Sequence, residues 1–260
     1  MIPKVGIVVP TLGTRPEYLR QCLLSIREAG PAFILVVSKA DFNGDDLRAE
    51  GLFDSIVPDP RQGLPKAINA GIRELPKEVE YVNWLGDDDL LNPGSLTVSS
   101  AVLDKEPKTV MVFGSCDYIN EQGEVVWRNK SGSWAVPLLR VGPDLIPQPG
   151  ALFRRTAFED FGGLNDEYSW AFDFDLFLKL SKKGKVRFVK EPLAKFRWHP
   201  ESLSVEYRKK SVEEASAVRI SHLPEMVRPF SFLWEWLVRA ATLIAGNRVT
   251  FLSKKKAQEK

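Results

Sequence analysis

The sequence predicts an α/β protein: a mostly parallel sheet covered by helices on both faces, followed by a helical tail. Three observations predict it. Short apolar, β-branched runs recur at residues 5–9, 33–37, 81–85 and 110–113, without the polar alternation of a half-exposed strand. Stretches of helical spacing separate them, which is the order of βαβ units. The 260 residues are 44% apolar and 27% charged, enough for a sizeable core, which excludes disordered, collagen-like and coiled-coil chains.

Each element has its own signal. Val5-Gly6-Ile7-Val8-Val9 is closed by Pro10 and reads as a strand buried on both faces. A helix is expected over 16–29, with Pro16 suited to a first helical position and Gly30 to the end. Residues 64–75 have helical spacing again. Regularity falls after about residue 115, and Gly, Pro and Trp gather over 123–150, which predicts long loops at one end of the sheet. Residues 1–205 thus read as one domain and 206–260 as a helical, basic tail. Ligands of such sheets bind beyond the carboxyl ends of the strands, where strand order reverses. Chemistry is therefore expected at residues 10–15, 38–41, 86–89 and 114–117.

The net charge of +2 hides an asymmetry, since residues 206–260 hold 11 Lys and Arg against 6 acids while the remainder holds 25 against 28. A basic tail on a mildly acidic body suits an anionic membrane surface better than nucleic acid, because the body does not interleave cations with stacking aromatics. Cys22 and Cys116 are too few for a disulfide scaffold or a four-thiolate zinc site. The first residues lack the charged and apolar regions of a signal peptide, so the expected location is cytoplasmic.

Asp87-Asp88-Asp89 follows the strand-like run ending Trp84-Leu85-Gly86. Three adjacent carboxylates repel unless a cation or hydrogen-bond donors compensate them, and Mg2+ or Mn2+ takes oxygen ligands shared with phosphates. Alone, such a triplet reads sooner as a solvated turn capping the next helix; the strand and glycine before it reverse that preference in favour of a site. In the segment from Arg61 to Gly71, Gly63 permits close backbone approach, and Lys66 and Asn69 lie three apart on one helix face. They suit a diphosphate or sugar, or simply an exposed lysine on an ordinary helix. Asp173 and Asp175 open an apolar helix, where capping explains one of them. The other lies among Trp170, Phe172 and Phe174, where a carboxylate is costly unless used. His199, one of two histidines, stands beside Arg197 and Trp198 and is a candidate metal ligand or a structural histidine.

Together these motifs resemble the family 2 inverting glycosyltransferases of the GT-A fold, over residues 3–205 and in the family's order. The matching positions are Val8-Val9-Pro10-Thr11, then Gly63, Lys66, Asn69 and Gly71, then Asp87 to Asp89. Gln148-Pro149-Gly150 before Ala151 to Arg154, Phe161-Gly162-Gly163-Leu164 and Asp173-Phe174-Asp175-Leu176 complete the series. The resemblance implies a GT-A type, Rossmann-like sheet and a nucleotide-diphosphate sugar held by Pro10, Thr11, Arg15, Gly63, Lys66, Asn69, Asp87 and Asp88. It implies a divalent ion on Asp89 with Asp87 or Asp88, to which His199 is added as a candidate ligand, Asp173 as general base, and Trp170 and Asp175 toward a saccharide or lipid-linked acceptor. Two departures stand out. The base-reading Asp expected after the second strand is absent from Val37-Ser38-Lys39-Ala40-Asp41, leaving Asp41 or Asp59 as substitutes, and the usual Glu-Asp pair is Phe172-Asp173. A sugar-phosphate nucleotidyltransferase competes through Leu12-Gly13-Thr14-Arg15, although Pro10-Thr11 replaces the paired glycines before that turn; a non-catalytic sugar-nucleotide-binding protein is the other alternative.

In the tail, Phe230, Leu233, Trp234, Leu237, Ala241 and Ile244 share one helix face, and Ser231, Glu235, Arg239 and Thr242 form a narrow polar strip. This predicts an in-plane membrane helix, with packing on the catalytic domain or in a homodimer as the alternative.

Overall fold

Among the described residues, nine strands form one sheet in the order β3-β2-β1-β4-β8-β6-β9-β5, with β7 paired to β6. The computed structural model describes residues 2–199 and 206–258. The strands are β1 (Val5–Thr11), β2 (Phe33–Ser38), β3 (Ser55–Pro58), β4 (Tyr81–Trp84), β5 (Leu90–Leu91), β6 (Thr109–Ile119), β7 (Val125–Asn129), β8 (Leu152–Arg154) and β9 (Lys185–Arg197). The helices are α1 (Pro16–Ala29), α2 (Asp45–Ala49), α3 (Leu64–Glu74), α4 (Ser95–Lys105), α5 (Ala135–Leu138), α6 (Arg155–Glu159), α7 (Phe172–Lys183), α8 (Arg208–His222) and α9 (Phe232–Gln258).

The sheet is parallel through β3, β2, β1 and β4, and β8 then runs antiparallel between β4 and β6. The expected parallel unit is present, but the three-residue β8 and the hairpin strand β7 make the whole sheet mixed. β7 lies within the stretch expected to be loop, in a run too short and too exposed to stand out by periodicity.

Alternation along the central strands builds two cores. Ile7, Val9, Ile34 and Val36 face α1 and α4, meeting Leu19, Leu23, Ile26 and Leu96. Val8, Leu35 and Val37 face the other way, toward Ile68 and Ile72 of α3, and the same core continues to Phe174 and Phe177 of α7. Full burial of each such side chain stabilises by about 1.5–3 kcal/mol. Gly71 brings α3 close to the sheet; a Cβ there would lie 2.5 Å from Val8 Cγ1.

The tail packs on the body. Arg219 of α8 makes two bonds to Glu235 of α9, at 2.7 and 2.8 Å, and donates to Gly142 O at 2.9 Å. Trp198 Nε1 donates to Thr250 Oγ1 at 3.1 Å. Among the described residues, no helix is long and apolar enough to cross a membrane.

Candidate active site

Strand order reverses around β1, which lies between β2 and β4, and the ends of β1 and β4 open the crevice expected of a switch point. Thr11 ends β1, and its Oγ1 donates to Asp87 Oδ2 at 2.6 Å just beyond β4. Arg15 reaches back from the turn before α1. Its Nη2 donates to Asp87 Oδ1 at 2.8 Å and its Nη1 to Asp88 Oδ2 at 2.9 Å. His199 Nε2 lies 2.8 Å from the same Asp88 oxygen and 3.1 Å from Arg15 Nη1. An Arg guanidinium thus compensates the first two carboxylates.

Asp89 is turned elsewhere. Its Oδ1 accepts the Arg197 backbone N–H at 2.8 Å, and the buried Arg197 side chain returns to Asp88 O at 2.8 Å. Arg197 also donates to Glu121 O and Gln21 Oε1, and its guanidinium lies 4.3 Å from the centre of the Tyr18 ring. Arg197 therefore fixes the acidic turn from β9. Burial pushes the Asp89 carboxyl well above the usual range, with the Asp88 charge adding to it, and burial also raises Asp87. Asp88 is held below that range despite its burial, by the hydrogen bond from His199 and the charge of Arg15.

Among the described residues, no three His, Cys, Asp or Glu side chains form a group that could hold a metal ion. A divalent ion whose shell is completed by phosphates and water needs few protein ligands, and the Asp88 carboxylate and His199 imidazole, 2.8 Å apart, are the groups here that would supply them. Of the three carboxylates, the structure brings His199 to Asp88.

Other candidates divide between the crevice and the scaffold. Asn69 is committed to the fold: its Nδ2 donates to Leu164 O at 2.8 Å and its Oδ1 accepts Leu164 N–H at 2.9 Å. Gly163, at φ +89°, lies so close that a Cβ would stand 2.5 Å from Asn69 Oδ1. Lys66 bonds Gln62 Oε1 and pairs with Asp166 at 3.5 Å. Pro10 is the penultimate residue of β1, and Gly63, at φ +96°, leads into α3. Ser38 is buried at the end of β2, and its Oγ has no partner among the described residues. Asp59 N–H donates to Ser38 O at 2.7 Å, which sets Asp59 beside that end, whereas Asp41 is exposed.

Asp173 lies in the first turn of α7, and the ring of the preceding Phe172 lies 6.2 Å from Trp84 of β4. That contact sets the start of α7 at the carboxyl end of β4. Burial raises the Asp173 carboxyl to about 6, partly opposed by the Phe174 N–H and reinforced by Glu214. Asp175 is not open to an acceptor. It is buried between His222 of α8, at 2.7 Å, and Lys179, at 2.6 Å, and these partners outweigh its burial and hold its carboxyl low. Trp170 is half-buried, with its ring centre 5.8 Å from that of Tyr207.

Glu214 of α8 supplies a function that sequence reasoning missed. Its carboxylate accepts the N–H groups of Ser169, Trp170 and Ala171 at 2.9, 2.6 and 2.7 Å, fastening the turn that leads into α7. The tail thereby holds the turn that carries Asp173. A glutamate in a polar helix gives no local sign of this.

The fold is shared with solved structures that hold nucleotide sugars. S. aureus TarS 1-349, in complex with UDP-GlcNAc, superposes with a TM-score of 0.65 at 15% identity, covering 91% of this chain and 72% of that one. Mannosyltransferase PcManGT from Pyrobaculum calidifontis, in complex with GDP-Man and Mn2+, gives 0.60 at 18% identity over 99% of this chain and 81% of that one. By sequence, an uncharacterized glycosyltransferase of Rickettsia felis is 26% identical over 94% of this chain, which spans 43% of that protein's length. The O-antigen biosynthesis protein RfbC of Myxococcus xanthus is 24% identical over 74% of this chain and 16% of its own. No family model matches the chain.

Proposed function

We propose that the protein is an inverting glycosyltransferase that moves a sugar from a nucleotide-diphosphate sugar to a hydroxyl acceptor, in the manner of family 2. The observation that carries this reading is the cluster of Thr11, Asp87, Arg15, Asp88 and His199 at the switch point of the sheet. It offers a guanidinium, an imidazole and carboxylates to a diphosphate and its counter-ion. The fold and the names of the relatives support the same reading.

In this mechanism Asp173 accepts the acceptor's hydroxyl proton as that oxygen bonds to the anomeric carbon. The bond from that carbon to the phosphate oxygen breaks on the opposite face, and the nucleoside diphosphate leaves. Arg15 is the chain's own cation beside the departing charge. A divalent ion on Asp88 and His199 supplies Lewis-acid compensation of that charge when bound. Asp59 and Ser38 stand at the end of β2, where the nucleotide base is expected. A saccharide or lipid-linked acceptor in cell-surface polysaccharide or glycolipid synthesis fits the RfbC name.

The test is a thermal-shift screen of UDP-, GDP-, dTDP- and CDP-sugars with Mn2+, since a ligand of the folded state raises its melting point. UDP-GlcNAc and GDP-Man head the series because the structural neighbours bind them. Turnover should release nucleoside diphosphate; release of pyrophosphate would point to nucleotidyl transfer. A chain that neither shifts nor turns over with any donor would be a non-catalytic relative.

A further inference from the structure

Helix α9 leaves large apolar side chains on its outer face. A surface helix ordinarily turns its apolar stripe inward, but here Ser231, Glu235 and Val249 face the body, at 8%, 5% and 5% exposure. Phe232, Leu233, Trp236, Leu237, Ile244 and Phe251 are 51–68% exposed. The buried Glu235–Arg219 pair holds the helix in this orientation. The outward row runs from Phe232 to Phe251, about 28 Å at helical rise. Just before it, Met226 and Phe230 are 86% and 57% exposed. A contiguous apolar surface of this kind marks an interaction site.

We infer that this face lies in the plane of an anionic membrane and holds the crevice over a lipid surface. Charge selects the occupant. Residues 226–258 contain six Lys and Arg and one acid, Glu235. That acid is turned inward and paired with Arg219, so it does not offset the cations. Arg228, Arg239, Arg248, Lys254 and Lys255 are exposed around or beyond the apolar row. Large apolar side chains rimmed by Lys and Arg are the chemistry of helices that lie along anionic leaflets. The rival occupant is a second copy, because Leu233, Leu237, Ile244 and Phe251 also have the spacing of a two-helix seam. Two copies of this face would set cations against cations, whereas an anionic leaflet opposes them in sign. The inference draws on the transferase reading only for the benefit of a lipid-linked acceptor; membrane binding needs no turnover.

The test is flotation of the full chain with vesicles of phosphatidylcholine alone or mixed with phosphatidylglycerol, alongside light scattering without lipid. The chain should float with the mixed vesicles and remain behind with phosphatidylcholine, and it should be monomeric in solution. The exposed substitutions Trp236→Asp and Leu237→Asp should abolish flotation while leaving the melting point and any donor-induced thermal shift unchanged. Lys254→Glu with Lys255→Glu should weaken flotation with the mixed vesicles. Failure to float with either vesicle overturns the inference, as does equal flotation with both. A stable dimer that Trp236→Asp splits would assign the face to a second copy. A missing donor shift with intact flotation would count against the transferase reading alone.

Discussion

Burial raises the Asp173 carboxyl to about 6, from 3.8 in an unfolded chain, and the Glu214 charge adds to the effect. The folded protein therefore binds this proton more tightly than the unfolded one. The stability it contributes is fully present below the unfolded value and is lost as pH rises through the folded value. Allowing for partial exposure, the loss is on the order of 2 kcal/mol. Asp173→Asn cannot ionise, so its melting point relative to the parent should be higher at about pH 8 than at about pH 4. The same ionisation frees the carboxylate to accept a proton. The turnover rate should therefore show an acid limb near pH 6, and Asp173→Asn should lower the rate by about 10²-fold or more with donor binding retained. A flat profile between pH 5 and 8, or near-normal turnover by the variant, would remove Asp173 as the base.

Helix α3 meets β1 with no space at Gly71, where a Cβ would stand 2.5 Å from a β-branched valine. Gly71→Ala should destabilise by about 1–3 kcal/mol through overpacking, even though Ala is the better helix former. Denaturant titration checks it; a gain in stability would show that the helix can shift. Between α8 and α9, Glu235→Ala leaves the buried Arg219 without its carboxylate, and loss of one partner of such a pair costs about 3–5 kcal/mol. A melting point equal to the parent's would mean that the pair is not buried in solution. The elements themselves were largely legible. Pro16 and Gly30 marked both ends of α1, and the β-branched runs marked β1, β2 and β4. Spacing also assigned Leu233 and Leu237 to one face of α9 and Glu235 to another. It could not say which face turns inward, because periodicity records shared faces and not their partners.

Across the whole molecule, the site joins residues that no local pattern links. His199 meets Asp88 across 111 positions, and Glu214 meets Trp170 across 44. The acidic turn was visible in sequence because strand, glycine and carboxylates are contiguous, whereas its guanidinium and imidazole partners arrive through tertiary packing. The tail consequently helps to shape the candidate site. Glu214→Gln retains one oxygen for the N–H groups that lead into α7 but removes the charge beside Asp173. Its acid limb should move to lower pH, with the turnover rate reduced and donor KM unchanged. A fall in melting point without a moved limb would reduce Glu214 to a structural cap.

Arg15 has one more consequence. A divalent ion arriving alone must compete with a tethered cation whose local concentration at Asp87 and Asp88 is high, and the guanidinium must exchange these two carboxylates for another anion. A diphosphate arriving with the ion offers that anion. The two ligands should therefore be thermodynamically linked, each tightening the other by the same factor. Calorimetric titration of Mn2+ with and without a nucleoside diphosphate measures that factor, and Arg15→Ala should bring it toward one by strengthening the binding of the ion alone. Equal Mn2+ affinity in both titrations of the parent protein would show that Arg15 does not compete for the carboxylates. A resting site that answers weakly to metal and weakly to nucleotide, yet strongly to both, would behave as a coincidence detector for the complete donor complex.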